Sequence, residues 1–546
     1  VKFGGRSRFP ENYRRALFAM DWSYGRIFAV HLEPDGASYR GKAETFLRGT
    51  PLNLTDLAFG PDGALYFITG GRGTQSGLYR VSYTGGATST APLAKTSSSD
   101  PAARARALRH QLERFHGRAD DAAVDFLWPH LASSDRFIRS AARLALESQP
   151  AVSWRERALA ETHAGTALSA LLALARVSGT EVQRDLLKAL ARFPLDALSE
   201  SDQLRKLRVI ELSFLRQGRP QGDLAALAIS QLDRHFPATS WPLNRELSRL
   251  LLWLEAPGAV NKTLDLLGTA PTQEQQLHYI AQLRNVPQGW TPAARRRFLE
   301  WWLKPRDALA HPPEVFGWFA DAGRGYVDGA WVDRYLREFH RDAVAALSAQ
   351  ERTELAGLLN RPLQKARQIP STIRAHVRQW TMADLLPHLD EAGAGRDFER
   401  GRRAFADAQC LACHRFGNDG GAIGPELTAA GSKYDRRSLL ESILEPSKVV
   451  SEQYQHSLVV LKNGDSFSGR LIRDAADEIV LETDPASGAS ERIARVRIDT
   501  VTPSTLSPMP EGLVNSLTRE EILDLLAYLE SGGRAAAAAF KSRPRE

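Results

Sequence analysis

The sequence predicts a multidomain, mainly α chain: a β segment, a long helical array, then a small helical unit with a β insert. Three observations predict it. Short apolar runs divided by Gly, Pro and Asp turns fill residues 1–86. Apolar residues then recur at helical spacing across 101–395. From 396 the texture changes again, with one amphipathic helix near each end of the unit and alternating strand-like runs between them. At 546 residues the chain is too long for one core.

Composition narrows the class. The chain is 43% hydrophobic and 25% charged, as in ordinary globular proteins. A formal net charge of +7 is modest for this length, and arginine is spread along the chain. That pattern reads as solvated helix faces and argues against a nucleic-acid patch. No apolar run approaches the ~18 residues of a transmembrane helix. The chain opens on Val1-Lys2-Phe3 without a signal-peptide pattern, so a mature or truncated piece of a longer polypeptide is expected.

Each element has a local reason. In 1–86, Leu17–Trp22 and Arg26–Val30 flank Ser23-Tyr24-Gly25. Leu57-Ala58-Phe59 and Ala64–Ile68 flank Gly60-Pro61-Asp62-Gly63, and Gly77–Val81 follows. Strands at this spacing suggest the C-terminal part of a β-propeller. Residues 87–100 read as a polar linker. Over 101–395, paired helices in units of ~35–45 residues suggest an α-solenoid of HEAT type. One helix opens at Ser133-Ser134-Asp135 and carries Phe137, Ile138, Ala141, Ala142, Leu144 and Ala145 on its apolar face. Isolated histidines and tryptophans here read as packing residues.

Function concentrates in Gln409-Cys410-Leu411-Ala412-Cys413-His414-Arg415. C-x-x-C-H is the attachment signature of a c-type haem: the thiols form thioethers with the two vinyl groups and the histidine ligates iron. Cys410 and Cys413 are the chain's two cysteines, so a four-ligand structural zinc site lacks its partner pair. A local disulfide and a redox C-x-x-C pair remain open alternatives. Gly424-Pro425 follows in a Gly-rich loop, where a backbone carbonyl can accept the His414 Nδ1–H. Of three methionines, Met509 lies in the proline-stiffened Ser507-Pro508-Met509-Pro510 loop, the usual setting of a distal sulfur ligand, with His456 the competitor. Arg396–Phe405 reads as a helix leading into the motif, and Leu517–Leu529 closes the unit with a Thr518/Glu521 capping box. An insert at about 454–500 reads as a small antiparallel sheet or barrel, with turns at Asn463-Gly464 and Ser487-Gly488. The tail, 532–546, is expected to be disordered.

These residues carry a family resemblance. Gly401…Phe405, Cys410–Phe416, Ile423-Gly424-Pro425-Glu426-Leu427 and Leu440–Lys448 resemble the haem-binding domain of large planctomycete and verrucomicrobial cytochrome c proteins, described as membrane-bound dehydrogenases. So do Leu461-Lys462-Asn463-Gly464, Met509-Pro510-Glu511-Gly512-Leu513 and the closing helix. The resemblance covers about 396–531 and implies a class I-like cytochrome c fold with one covalent haem c. The implied site is Cys410, Cys413, His414 and Met509, with Pro425 beside it and no catalytic residue. It also implies an extracytoplasmic, periplasmic setting, with any membrane association upstream of Val1, and electron exchange with a redox partner or attached dehydrogenase domain. Asp56–Tyr66 resembles blades of soluble quinoprotein sugar dehydrogenases. A sugar or alcohol dehydrogenase with a truncated propeller is therefore one alternative function. A haem-bearing scaffold or sensor is another.

Overall fold

The computed structural model describes the chain except residues 72, 73, 75, 86–99, 305–310, 322–329, 362, 364–373, 418, 422, 485–488 and 542–546, together with the side chains of 330–334. The expected linker (apart from Asp100), the Ser487-Gly488 turn and the last five tail residues therefore lie outside the described residues.

Alternation builds the first unit. Strands β1 (Lys2–Phe3), β2 (Leu17–Asp21), β3 (Arg26–Asp35) and β4 (Ser38–Arg48) form one antiparallel meander. A second contains β5 (Leu54–Phe59), β6 (Leu65–Thr69) and β7 (Gly77–Val81). Phe18 pairs with Ala29 across β2 and β3, and Leu57 with Phe67 across β5 and β6. These four side chains are buried on the inner faces. Phe18 joins the meanders, its ring centroid 5.1 Å from Phe46 and 5.3 Å from Phe59. At the Gly60–Gly63 turn Gly63 has φ +75°, and the Asp62 carboxylate accepts from Ala64 N–H and the Tyr66 hydroxyl. Strand β4 carried no clear signal in the sequence because its face is largely polar and exposed.

Helices occupy most of 101–359 and share one continuous apolar core. Side-chain caps start them: Asp135 for Arg136–Glu147, Ser199 for Glu200–Gln217, Ser240 for Trp241–Trp253 and Thr291 for Pro292–Trp301. In Arg136–Glu147 the buried stripe is Ile138, Ala141, Ala142, Ala145 and Leu146. Leu144, expected on that face, turns outward (36% exposed), because the helical angle between 138 and 144 carries it away from the stripe.

A separate core organises the C-terminal unit, and it begins before residue 396. Leu385, Leu389 and Ala392 are buried with Phe405, Leu440, Leu517, Leu526 and Leu529. Trp380 Nε1–H donates to Leu517 O at 3.0 Å, and Val377 N–H to Asn515 O at 2.8 Å. The boundary drawn at 396 thus falls inside this unit, since segment 374–395 has little helical periodicity of its own and is organised by these long-range contacts. Helix α1 (Phe398–Asp407), the single turn α2 (Cys410–Cys413), α3 (Arg436–Leu444) and α4 (Arg519–Ser531) surround the core. Short strands β8 (Arg415–Phe416) and β9 (Asp419–Gly420) follow α2. The described part of the expected disordered tail is docked: Gly395 N–H donates to Lys541 O at 3.0 Å, and Phe540 packs on Phe398 at 5.2 Å.

Between α3 and α4 lies a five-stranded antiparallel sheet, β10 (Ser457–Leu461), β11 (Ser466–Asp474), β12 (Glu478–Asp484), β13 (Ala489–Ala494) and β14 (Ile498–Pro503), in the order β13-β12-β11-β10-β14. Val459, Leu461, Ile479, Leu481 and Ile493 form its own small core. Gly464 takes φ +91° in the β10–β11 turn. A 3-10 turn at Arg495–Arg497 separates β13 from β14 and lets β14 return beside β10.

Candidate functional site

The crossing of α1 and α4 sets the frame. Gly401 permits it: a Cβ there would lie 2.4 Å from Asp524 O and 3.0 Å from Tyr528 Cβ. Phe405, Phe416 and Tyr528 fill the adjacent space, with Phe416 and Tyr528 centroids 4.6 Å apart. Buried Asp524 accepts from Asp397 N–H at 3.1 Å and pairs with Arg400 and Arg396. Thr518 and Glu521 complete the capping box of α4.

From α1 the chain enters α2 through Gln409, a non-glycine residue at φ +59°. Its turn puts Cys410 and Cys413 three positions apart on one helical turn. Both cysteines are free thiols. Burial pushes the Cys410 thiol up to about 12 and raises Cys413 as well, so both are held as protonated thiols near neutral pH.

The loop after β9 folds back along the motif through main-chain bonds. Gly421 N–H donates to Leu411 O, Gly424 N–H to Cys413 O, and Leu427 N–H to Arg415 O, at 2.8, 2.8 and 2.9 Å. Glycines make the approach possible: a Cβ on Gly420 would lie 2.2 Å from His414 O, and one on Gly421 2.5 Å from Ala412 O. Gly424 lies against the imidazole itself, where a Cβ would come within 2.7 Å of His414 Cε1. This loop places the Pro425 carbonyl oxygen 2.8 Å from His414 Nδ1.

His414 is therefore a buried ring held by one nitrogen. With Nδ1 donating to Pro425 O, Nε2 is the unprotonated, lone-pair nitrogen, and it has no hydrogen-bond partner among the described residues. Burial lowers the His414 pKa and so favours the neutral ring that metal ligation needs, against a smaller opposing effect of the Pro425 bond. Two free thiols, an oriented imidazole and a glycine-cleared ring face fit the donor set that a covalent haem would need.

Residues 398–457 match the profile of the family described as Cytochrome c. The chain carries a cytochrome c domain. Such a domain implies covalently bound haem c and haem-based electron transfer, and the two cysteines are consistent with one C-x-x-C-H site. A search of curated proteins finds no match to the chain. The matched segment of the cytochrome c domain ends at the start of the inserted sheet, so Met509 and α4 lie beyond it.

The other site residues expected from sequence lie in that later part. Met509 is half-buried, its N–H donating to Ser507 Oγ at 3.1 Å, while Ser507 N–H donates to Ser447 Oγ at 3.1 Å. His456 precedes β10, where burial and then Arg470 lower its pKa. Sequence reasoning missed the part of segment 374–395; Trp380, Leu385 and Leu389 are its signal. No group of three or more His, Cys, Asp or Glu residues arranged to hold a metal ion occurs among the described residues. No helix among them is long and apolar enough to cross a membrane.

Proposed function

We propose that this chain is an electron-transfer protein with one haem c, attached through Cys410 and Cys413 and ligated by His414 and Met509. The observation that carries the reading is His414: Pro425 holds Nδ1, leaving Nε2 without a partner beside two free thiols. When bound, the haem supplies a one-electron Fe(II)/Fe(III) couple. The protein's part is orientation. Pro425 O fixes the tautomer and raises imidazole basicity, Gly424 leaves the ring room, and the Ser447–Ser507–Met509 bonds shape the loop bearing the sulfur.

Ligation by both His414 and Met509 would leave the iron no open position for a substrate, which suits relay between proteins better than substrate chemistry. The partner is then a redox protein or an attached dehydrogenase domain, in an extracytoplasmic compartment where haem c is attached. The β unit is read as part of a propeller and the helical array as a HEAT-like solenoid that spaces it from the haem. The test is the visible and near-infrared spectrum of the full chain, matured in a periplasm, beside Met509→Ala. Sharp reduced α and β bands and a weak sulfur-to-iron band lost in the variant are expected. A high-spin spectrum indifferent to the substitution would remove Met509 from the iron.

A further inference from the structure

A cavity of 440 Å³ opens in the helical array, lined by residues between Ala132 and Arg205. Three helices start on its wall. Ser133 and Ser134 lead into Arg136–Glu147, His163 caps Ala164–Val177, and Ser199 caps Glu200–Gln217. Arg139 and Arg205 stand on the same wall, and Asp202 is the one carboxylate among the lining residues.

Donors outnumber acceptors here. The Asp202 carboxylate is taken: Oδ1 accepts from Arg205 Nη1 at 2.7 Å and Oδ2 from the Ser199 hydroxyl at 3.1 Å. Arg205 Nη2 also donates to Gly165 O and Ser169 Oγ, which fixes its guanidinium in place. Arg139 differs. Its Nη1 donates to the Ser133 and Ser134 carbonyls, while Nε and Nη2 have no partner among the described residues. No carboxylate pairs with Arg139 among them either, whereas Arg143, one turn on, has Glu147. Asp135, the nearest acid in sequence, spends its carboxylate on the amides of Ala37, Phe137 and Ile138. Burial and then the charge of Arg205 lower the Arg139 pKa, against weaker attraction from Asp202 and Asp135. His163 adds a donor. Its Nδ1 accepts from Thr166 N–H at 3.3 Å, so the ring proton sits on Nε2, which has no partner among the described residues. The Ser134 and Ser201 hydroxyls are also without one, and the caps leave the first-turn amides of Gly165 and Ser201 unspent.

We propose that this cavity binds a phosphate-class oxyanion, held by the unpaired side of the Arg139 guanidinium together with His163 Nε2–H and the Ser134 and Ser201 hydroxyls. A tetrahedral oxyanion presents acceptors on every side and brings the charge that Arg139 lacks. The helix starts reinforce the fit, since each places the positive end of its dipole at this wall. The volume is in the range of small-molecule sites, so the recognised chemistry is a phosphate group, either free or as the head of an ester. This inference goes beyond the haem reading and stands without it.

The full chain is titrated with inorganic phosphate by isothermal calorimetry and phosphorus NMR line width, with chloride at equal ionic strength as the control. Arg139→Gln and Ser201→Asp are run beside it. Saturable binding is expected, weakened about tenfold in Arg139→Gln through loss of a charge-assisted contact. Ser201→Asp should abolish binding by adding a carboxylate to the wall, while an acid in the first turn suits its helix. Wild-type protein with no saturable heat or broadening overturns the proposal, and so does binding that Arg139→Gln leaves unchanged. Should Arg139→Gln fail to accumulate, Ser201→Asp decides: lost binding supports the site and retained binding overturns it. Glycerol phosphate is titrated in parallel. If it binds as phosphate does, the site takes esters; if phosphate alone binds, the site takes the free ion.

Discussion

His414 and Gly424 show how much one position controls. The imidazole lies so close to Gly424 that a methyl group there would sit 2.7 Å from Cε1 and 2.9 Å from Nδ1. Gly424→Ala must move the ring or the loop, and the loop is pinned by Gly424 N–H to Cys413 O. We expect Gly424→Ala to destabilise the haem-binding unit by about 1–3 kcal/mol, the usual cost of overpacking. Weaker covalent haem incorporation should accompany it. Thermal unfolding and the haem-to-protein absorbance ratio measure the two effects, and a variant with wild-type values for both would show that the ring moves freely. Cys410, Cys413, His414 and the glycine-rich loop were legible in the sequence because their chemistry demands that order along the chain. The contact of Gly424 with the ring was not, since it depends on how the loop folds back.

At the scale of elements, the α1–α4 crossing depends on a buried charge. Asp524 is fully buried, with Arg400, Arg396 and the Asp397 N–H gathered on its carboxylate. Asp524→Ala leaves Arg400 and the Asp397 amide without their acceptor in a crossing that Gly401 holds close, while Arg396 keeps Glu520 at 3.0 Å. Because Arg400 is 41% exposed, water recovers part of the cost, and chemical denaturation of the haem-loaded chain should show a loss of about 1–3 kcal/mol. A loss below ~1 kcal/mol would mean that water replaces the carboxylate. The two helices themselves were readable from apolar spacing and from the Thr518/Glu521 box. Asp524 was not, because on a helical wheel it reads as one more surface acid. Leu144 is the reverse case, an apolar residue placed inward by composition and outward by the angle of its helix.

Across the whole molecule, the β unit is joined to the helical array by specific contacts. Arg26, 1% exposed, pairs with Asp21 at 3.0 Å and with Asp321 of helix Pro313–Asp321 at 2.9 Å. Its guanidinium lies 5.1 Å from the Trp318 ring centroid, and Tyr24 packs edge-on to Trp318 at 4.7 Å. A second tie runs from Ala37 N–H to the Asp135 carboxylate, which also caps its own helix. Arg26→Ala should loosen the first tie and leave the second, so limited proteolysis should cut between the units faster while the haem spectrum is unchanged. Equal cleavage rates in both proteins would show that the Asp135 contact alone holds the units together.

By itself the sequence determined the chemistry and the order of parts: β strands, helices, then a haem motif followed by a proline-rich methionine loop. Such features are written locally, in turn residues, helical spacing and the short reach of a C-x-x-C-H turn. Tertiary structure decided what depends on distant partners. It placed Trp380 and Leu385 in the C-terminal core, docked Lys541 and Phe540 on that core, and paired Arg470 with Glu482 across the sheet. None of these has a local pattern, because each position is set by burial against residues far along the chain.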